Sequence, residues 1–301
     1  MTEHASHARR RMAFPALFVL LWSTGFIAAK YGLPYAPPLH FLLYRFALVG
    51  LLMAAVAMLT SAPWPSTLAQ AGHVVVAACL VHGTYLGGVF VALARGMPAG
   101  TAAMLLGLQP IFTMLLARGR LGERVVPRQW LGLSLGVAGV WLVVWHKAAL
   151  TDDGNALAAI VIALAGISVG TLYQKRHCAH VDLRSGAAIQ FSACALIYLP
   201  LALVLEHVPV RLTPEFAFAL GWSVLVLSVG AISLLYWLLR HGAAANVASL
   251  FFLVPAVTAL MAWLMFGETL DTLAAAGMVL IGAGVALARQ PQPIGDVEPA
   301  A

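Results

Sequence analysis

Apolar residues run along this chain in long stretches, separated by short polar or charged connections. Ten stretches stand out, at residues 14–33, 39–60, 74–94, 98–117, 126–146, 156–175, 185–205, 215–238, 243–265 and 270–288. Each is long enough to cross roughly 30 Å of hydrocarbon as a helix rising about 1.5 Å per residue. The runs are continuously apolar and rich in Ala and Leu, without the alternation that a lipid-facing strand needs, so helices are predicted rather than barrel strands. The longest connections, Ser61 to His73 and Glu206 to Pro214, are too short for an extramembrane domain. The pattern predicts an all-α integral membrane protein with ten transmembrane helices.

The same pattern occurs twice. At a constant offset of 145, Arg95 falls on Arg240, Pro110 on Pro255, Gly122-Glu123 on Gly267-Glu268, Gly132 on Gly277 and Gly139-Val140 on Gly284-Val285. From Ala92 to Val144, 18 of 53 positions are identical to their mates, without a gap. The offset also works upstream, placing Ser23 on Ser168, Gly25 on Gly170, Lys30 on Lys175 and Phe46 on Phe191. The chain therefore reads as an internal duplication with five spans per copy. Five is odd, so the second copy enters the membrane upside down relative to the first. The predicted organisation is a first five-helix repeat at 1–148, an inverted second repeat at 149–289, and a disordered tail at 290–301 with three prolines.

Charge supports the topology. With the N-terminus inside, the cytoplasmic segments hold Arg9, Arg10, Arg11, Arg118, Arg120, Arg124, Arg128, Lys175, Arg176, Arg184, Arg240 and Arg289, whereas the outer segments hold Lys30, Arg95, Lys147 and Arg211. This bias places both termini on the cytoplasmic side of a bacterial-type inner membrane. Composition agrees: 62% of residues are hydrophobic and 9% charged, with a mean hydropathy of +0.92, outside the range of soluble domains. The net charge of +6 resides in short clusters between spans, so nucleic acid is not a predicted partner. Three cysteines, two of them within apolar runs, read as small buried side chains rather than a disulfide framework.

Leu253-Val254-Pro255, Phe266-Gly267-Glu268, Gly277, Leu280-Ile281 and Gly284 in the second copy resemble the drug/metabolite transporter superfamily, specifically its EamA-type members. So do Leu108-Gln109-Pro110, Leu121-Gly122-Glu123, Gly132 and Gly139 in the first. Trp22, Phe26, Lys30 and Arg45-Phe46 also look like the first repeat of that family. The resemblance covers nearly the whole chain. It implies two five-helix repeats and secondary transport of small organic solutes, with substrates across the family that include amino acids, sugars, nucleobases and drugs.

The residues themselves offer candidates for a solute site. Pro110 and Pro255 lie mid-span in matching helices, where proline removes a hydrogen bond and kinks the chain. A symmetric pair of kinks points to a gating role beside a midplane site, with packing as the alternative. Gln109 is a buried amide in the fourth span, placed for substrate contact or a helix–helix bond. His82 and Tyr85 share a face of the third span, where polar groups turn to the bundle interior or a wet cavity. Ser249 and Phe252 are pocket candidates on a stripe with Asn246, which lies near the end of the ninth span. Ser168, Thr171 and Tyr173 in the sixth span match the location of Trp22 and Ser23 in the first, although hydroxyls there can bond back to their own helix. Trp22 lies deep and is assigned to a cavity wall, whereas Trp64, Trp145 and Trp237 sit near span ends and read as interfacial residues. Arg45, within the second span, and Lys30 either snorkel to the outer surface or pair with a carbonyl, or else serve a vestibule for anionic carboxylates. Glu123 and Glu268 read as turn residues, meeting the positive end of the next helix.

All eleven acids lie in loops, tails or span ends, which leaves His82 as the central titratable group and argues against a carboxylate proton relay. The chain has no phosphate-binding G-x-x-x-x-G-K-[ST] motif and no metal-ligand spacing, and Gly166-Ile167-Ser168-Val169-Gly170 matches a serine elbow only in letters. No cofactor or metal is predicted. The expected activity is export of small organic solutes, foremost aromatic or other apolar amino acids, by alternating access and as a uniporter. One chain supplies both halves, so a monomer in lipid suffices. The alternatives are a proton-coupled exporter of drugs or other metabolites and, from another class, an integral-membrane enzyme.

Overall fold

The computed structural model describes residues 2–113, 116, 127–148, 154–241, 250–251, 253–269 and 272–288. Among these residues the regular structure is helical throughout. The helices are α1 (Thr2–Gly32), α2 (Pro38–Leu59), α3 (Leu68–Ala94), α4 (Ala99–Thr113), α5 (Pro127–Ala148), α6 (Gly154–His177), α7 (Leu183–Leu205), α8 (residues 214–241), α9 (Leu253–Phe266) and α10 (Thr272–Ala288). Six are long and apolar enough to cross a membrane: the Phe14–Gly32 part of α1, α2, α3, α6, α7 and the Pro214–Leu234 part of α8. Shorter apolar stretches occupy α4, α5, α9 and α10. Large side chains on the outside, such as Leu51, Leu59, Leu196, Val204 and Leu264, are exposed in the way a lipid-facing surface requires.

Local chemistry sets the helix ends. α3 begins at Leu68 rather than near 74, because Thr67 accepts a hydrogen bond from the Gln70 amide and extends the helix into the connection. Gly96, at φ +87°, ends α3 in a left-handed turn in which the Met97 amide donates back to Ala92. α2 and α4 start after Pro37 and Pro98, which carry no capping side chain. A glutamate from another helix caps each of them. The amides of Leu39 and His40 donate to Glu206 at the end of α7 (2.9 and 3.0 Å), and those of Ala99 and Gly100 donate to Glu268 just after α9 (2.8 and 3.2 Å).

The packing respects the duplication. α2 packs on α7, α4 on α9 and α5 on α10, each helix against its own repeat mate. α1 packs on α8 and α3 on α6, two contacts that become each other when the halves are exchanged. The repeated glycines explain the closest of these pairs. A Cβ on Gly139 would lie 2.7 Å from the Gly277 carbonyl oxygen, and one on Gly284 would lie 2.5 Å from that of Gly132, so α5 and α10 meet backbone to backbone. Gly284→Leu is therefore expected to lower thermal stability in detergent by about 1–3 kcal/mol through overpacking. Gly282→Leu, where an added Cβ meets nothing within 4 Å, serves as the silent control.

Candidate functional site

A cavity of about 1890 Å³ lies between the halves. Its wall draws on α1 (Trp22, Phe26), α3 (Val81, His82, Tyr85), α4 (Gln109, Pro110, Thr113), α6 (Ile167, Thr171, Tyr173), α8 (Ser228, Val229, Trp237) and α9 (Val254, Pro255). α2 and α7 add Met53, Val56, Gln190 and Phe191, which the sequence reasoning did not assign to the wall. The cavity reaches the end of the molecule that carries Lys175, Arg176, Asp182 and Arg184. There Asp182 caps α7 and takes two further hydrogen bonds from the Arg184 guanidinium (3.0 and 2.9 Å). These bonds hold its carboxyl well below the usual range, at about 2, so the mouth keeps a paired acid and base at neutral pH.

The other end is closed. Lys30 pairs with Glu268 at 2.5 Å and lies over the Phe266 ring, while Glu268 also caps α4. Gly267 adopts φ +65° immediately before it, a left-handed turn that aims the carboxylate across the molecule. Glu268 thus meets the positive end of a helix, as the sequence suggests, but that helix is α4 in the first half rather than the following α10. Trp222 on α8 donates to Thr24 on α1 (2.9 Å), and α4 is buried from Ala99 to Leu106. Helices of both halves are thereby latched at this end.

Two wall segments depart from α geometry at corresponding points. Cys79–Thr84 in α3 and Trp222–Ala231 in α8 are π-helical, and the offset of 145 carries the first into the second. Each is held by a hydroxyl bonded to the carbonyl five residues back, Thr84 to Cys79 (2.9 Å) and Ser228 to Ser223 (3.0 Å). Such widened turns leave the regular ladder and occur frequently at functional sites. Here they present His82 on one side and Ser228 on the other.

Most of the predicted residues converge on this cavity. Trp22 stacks edge-on with Phe251. His82 shares a hydrogen bond with Gln190 (3.1 Å) and stacks on Phe191. Gln109 and Pro110 lie on the wall next to the turn at Gly107–Leu108, and Pro255 faces them, with its ring 3.3 Å from where a Gly107 Cβ would stand. Tyr173 lies at the mouth, its hydroxyl 2.7 Å from His73. Trp237, expected at the membrane interface, lines the mouth as well. Ser168 does not join them: it is fully buried between helices, and its neighbours Ile167 and Val169 face the cavity instead. Thr171 bonds back to Ile167 (2.8 Å) as hydroxyls in apolar helices do. Ser249, Phe252, Asn246 and Glu123 lie outside the described residues, although Phe251 next to them is on the wall. Gln190 and Ser228 were missed. Gln190 was findable, as a lone amide within an apolar span at the offset of Arg45.

A cavity between duplicated halves, open at one end and latched at the other, is the form of a transporter. The EamA-like transporter family model matches residues 12–145 and again 155–290. The chain belongs to the EamA-like transporter family. Each match covers one of the two copies read from the offset. Among similar proteins is a probable amino-acid metabolite efflux pump of Salmonella typhimurium (strain LT2), 30% identical over 92% of this chain and 94% of its own length. Another is the uncharacterized inner membrane transporter YedA of Escherichia coli (strain K12), 26% identical over 86% of this chain and 84% of its own. A solved crystal structure, 19% identical, superposes with a TM-score of 0.62 over 91% of this chain and 95% of its own, and agrees in fold. The protein is a multi-pass membrane transporter and not an enzyme.

Proposed function

We propose that this EamA-family protein exports amino acids with aromatic or other apolar side chains across a bacterial-type inner membrane, by alternating access and as a uniporter. Its ten spans form inverted halves, 1–148 and 149–289, with both termini in the cytoplasm. The cavity carries this proposal: Trp22, Tyr85, Phe251 and Phe191 offer an apolar, aromatic surface, and His82, Gln190, Gln109 and Ser228 supply a few polar contacts. That mixture suits a zwitterion with an apolar body. The efflux-pump name of the Salmonella relative points the same way. The positive-inside bias puts the mouth with Lys175, Arg176 and Arg184 in the cytoplasm, so the conformation described here loads solute from inside. Rocking of the halves about the kinks at Pro110 and Pro255 then closes this mouth and opens the latched end.

Among the described residues, the only acid on the cavity wall is Asp182, at the mouth and paired with Arg184. A carboxylate relay at depth is therefore unsupported, which favours uniport. Counterflow of labelled phenylalanine, leucine and a nucleoside in liposomes with no ion gradient tests this. Exchange of the amino acids alone is expected. A strict requirement for a pH gradient would instead assign His82 a proton-coupling role, and exchange of the nucleoside alone would overturn the substrate class.

A further inference from the structure

Arg45 lies inside the second span, away from its ends, and is 8% exposed. Among the described residues its guanidinium makes a single hydrogen bond, from Nη2 to Ser228 Oγ at 3.3 Å, longer than most N–H···O bonds. Its Nε is buried without a partner. A guanidinium offers five donors in a planar fork, so most of this one's capacity is unused. The ion pairs found among the described residues are Lys30–Glu268, His40–Glu206 and Arg184–Asp182, and none reaches it. An unpaired charge in such a place is costly, and intramembrane cations that persist mark solute pathways.

The surroundings say where its partner belongs. Ser228, which accepts the bond from Arg45, lines the cavity, and so do Tyr85 and His82. Arg45 itself stands one layer behind them. Its repeat mate, Gln190, is already on the wall and bonded to His82. Inverted repeats that alternate access exchange conformations, so the wall position held by Gln190 in the conformation described corresponds to Arg45 in the other. A carboxylate is the natural complement: planar, anionic and able to take two parallel bonds from the fork.

We infer that Arg45 binds the carboxylate of the transported solute, which makes the substrates organic acids or zwitterions rather than amines or neutral solutes. The inference rests on the transport function proposed above but not on the solute being an amino acid. During binding the weak bond to Ser228 gives way to two charge-assisted bonds, and Trp22, Tyr85 and Phe251 receive the apolar body.

The test is equilibrium binding to the purified full chain in detergent, with three probes that share a phenyl body: L-phenylalanine, 3-phenylpropionate and phenylalaninol, which lacks the carboxylate. The wild type is expected to hold the two carboxylates at least tenfold tighter than the alcohol. Arg45→Gln should weaken both carboxylates tenfold or more and leave the alcohol unchanged, with Arg45→Lys in between. Equal wild-type affinity for all three probes, no carboxylate binding at all, or an equal loss for all three in Arg45→Gln overturns the inference. If Arg45→Gln does not fold, the wild-type preference for acid over alcohol decides. Binding of phenylpropionate without phenylalanine would support the anchor while refuting amino-acid export. Counterflow of phenylalanine left unchanged by Arg45→Gln would do the reverse.

Discussion

Replacing Glu268 by alanine is expected to unlatch the closed end of the cavity and shift the conformational balance by roughly 30-fold, equivalent to about 2 kcal/mol. Three interactions depend on this carboxylate: the amides of Ala99 and Gly100 and the ammonium of Lys30. The amide bonds weigh most, because they satisfy the otherwise open N-terminus of α4 at a site where Pro98 provides no cap. The ion pair adds less, since the Lys30 side chain is 29% exposed and screened accordingly. All three tie the end of α9 to helices of the first half, so they stabilise the described conformation and are lost when that end opens. Glu268→Gln should fall in between, keeping an amide oxygen as a neutral acceptor. A cysteine at Ala103, on the wall near the latch, reports the change in a background where Cys79, Cys178 and Cys194 are replaced. A membrane-impermeant thiol reagent added from the latched side should label it many times faster in Glu268→Ala than in the parent. Equal labelling would show that the latch does not hold this end shut.

Pro110→Ala is expected to raise the melting temperature while cutting transport tenfold or more. Proline in an unbroken helix interior costs about 3 kcal/mol, through its missing N–H and the clash of its ring with the carbonyl one turn back. Pro110 follows the turn at Gly107–Leu108, so its substitution recovers a fraction of that. The cost is visible locally. On either side of Pro110 the ladder tightens, with Leu108 donating to Leu105 (3.2 Å) and Ile111 to Leu108 (2.9 Å), three residues apart instead of four. Alanine restores the regular helix and removes the hinge. Pro255 stands in the matching place, third in the described α9 as Pro110 is second after the turn at Gly107–Leu108, and should respond alike. A transport loss without a stability gain would mean that Pro110 contacts solute and does not act as a hinge.

Much of the fold was legible because its signals are long and redundant. The apolar runs and the constant offset predict most described helix ends to within a few residues, while α1 begins at Thr2 rather than 14, α3 at Leu68 rather than 74, and the described α9 at Leu253 rather than 243. The repeated glycines were visible as a pattern, but their use was not: only the structure shows that Gly139 and Gly284 bring α5 and α10 into backbone contact. The site was partly legible. Depth and helical spacing brought Trp22, His82, Tyr85, Gln109 and the prolines to one cavity, since buried polar groups must face something other than lipid.

Spacing alone failed where the third dimension decides. Ser168 shares a helix with Thr171 and Tyr173, yet a rotation of one residue puts it in the packed interface between helices, where Thr84 and Val81 press on the neighbouring Gly166 and Gly170. Glu268 was read by its neighbours in sequence, whereas its partners lie 169, 168 and 238 residues away. The paired π turns leave no simple mark in composition. Their alignment at the offset is nevertheless further support for the duplication, because matching sequence distortions would not arise at corresponding points of unrelated helices.

The central claim is that solute crosses by alternate opening of the two ends of one cavity. It is tested most directly by joining the latched end covalently. Cysteines at Lys30 and Glu268, bridged by a short reducible bis-thiol crosslinker in a background without other cysteines, fix that end closed in liposomes. Phenylalanine counterflow is predicted to stop on crosslinking and to return on reduction. Counterflow that continues through the bridged protein would contradict the account.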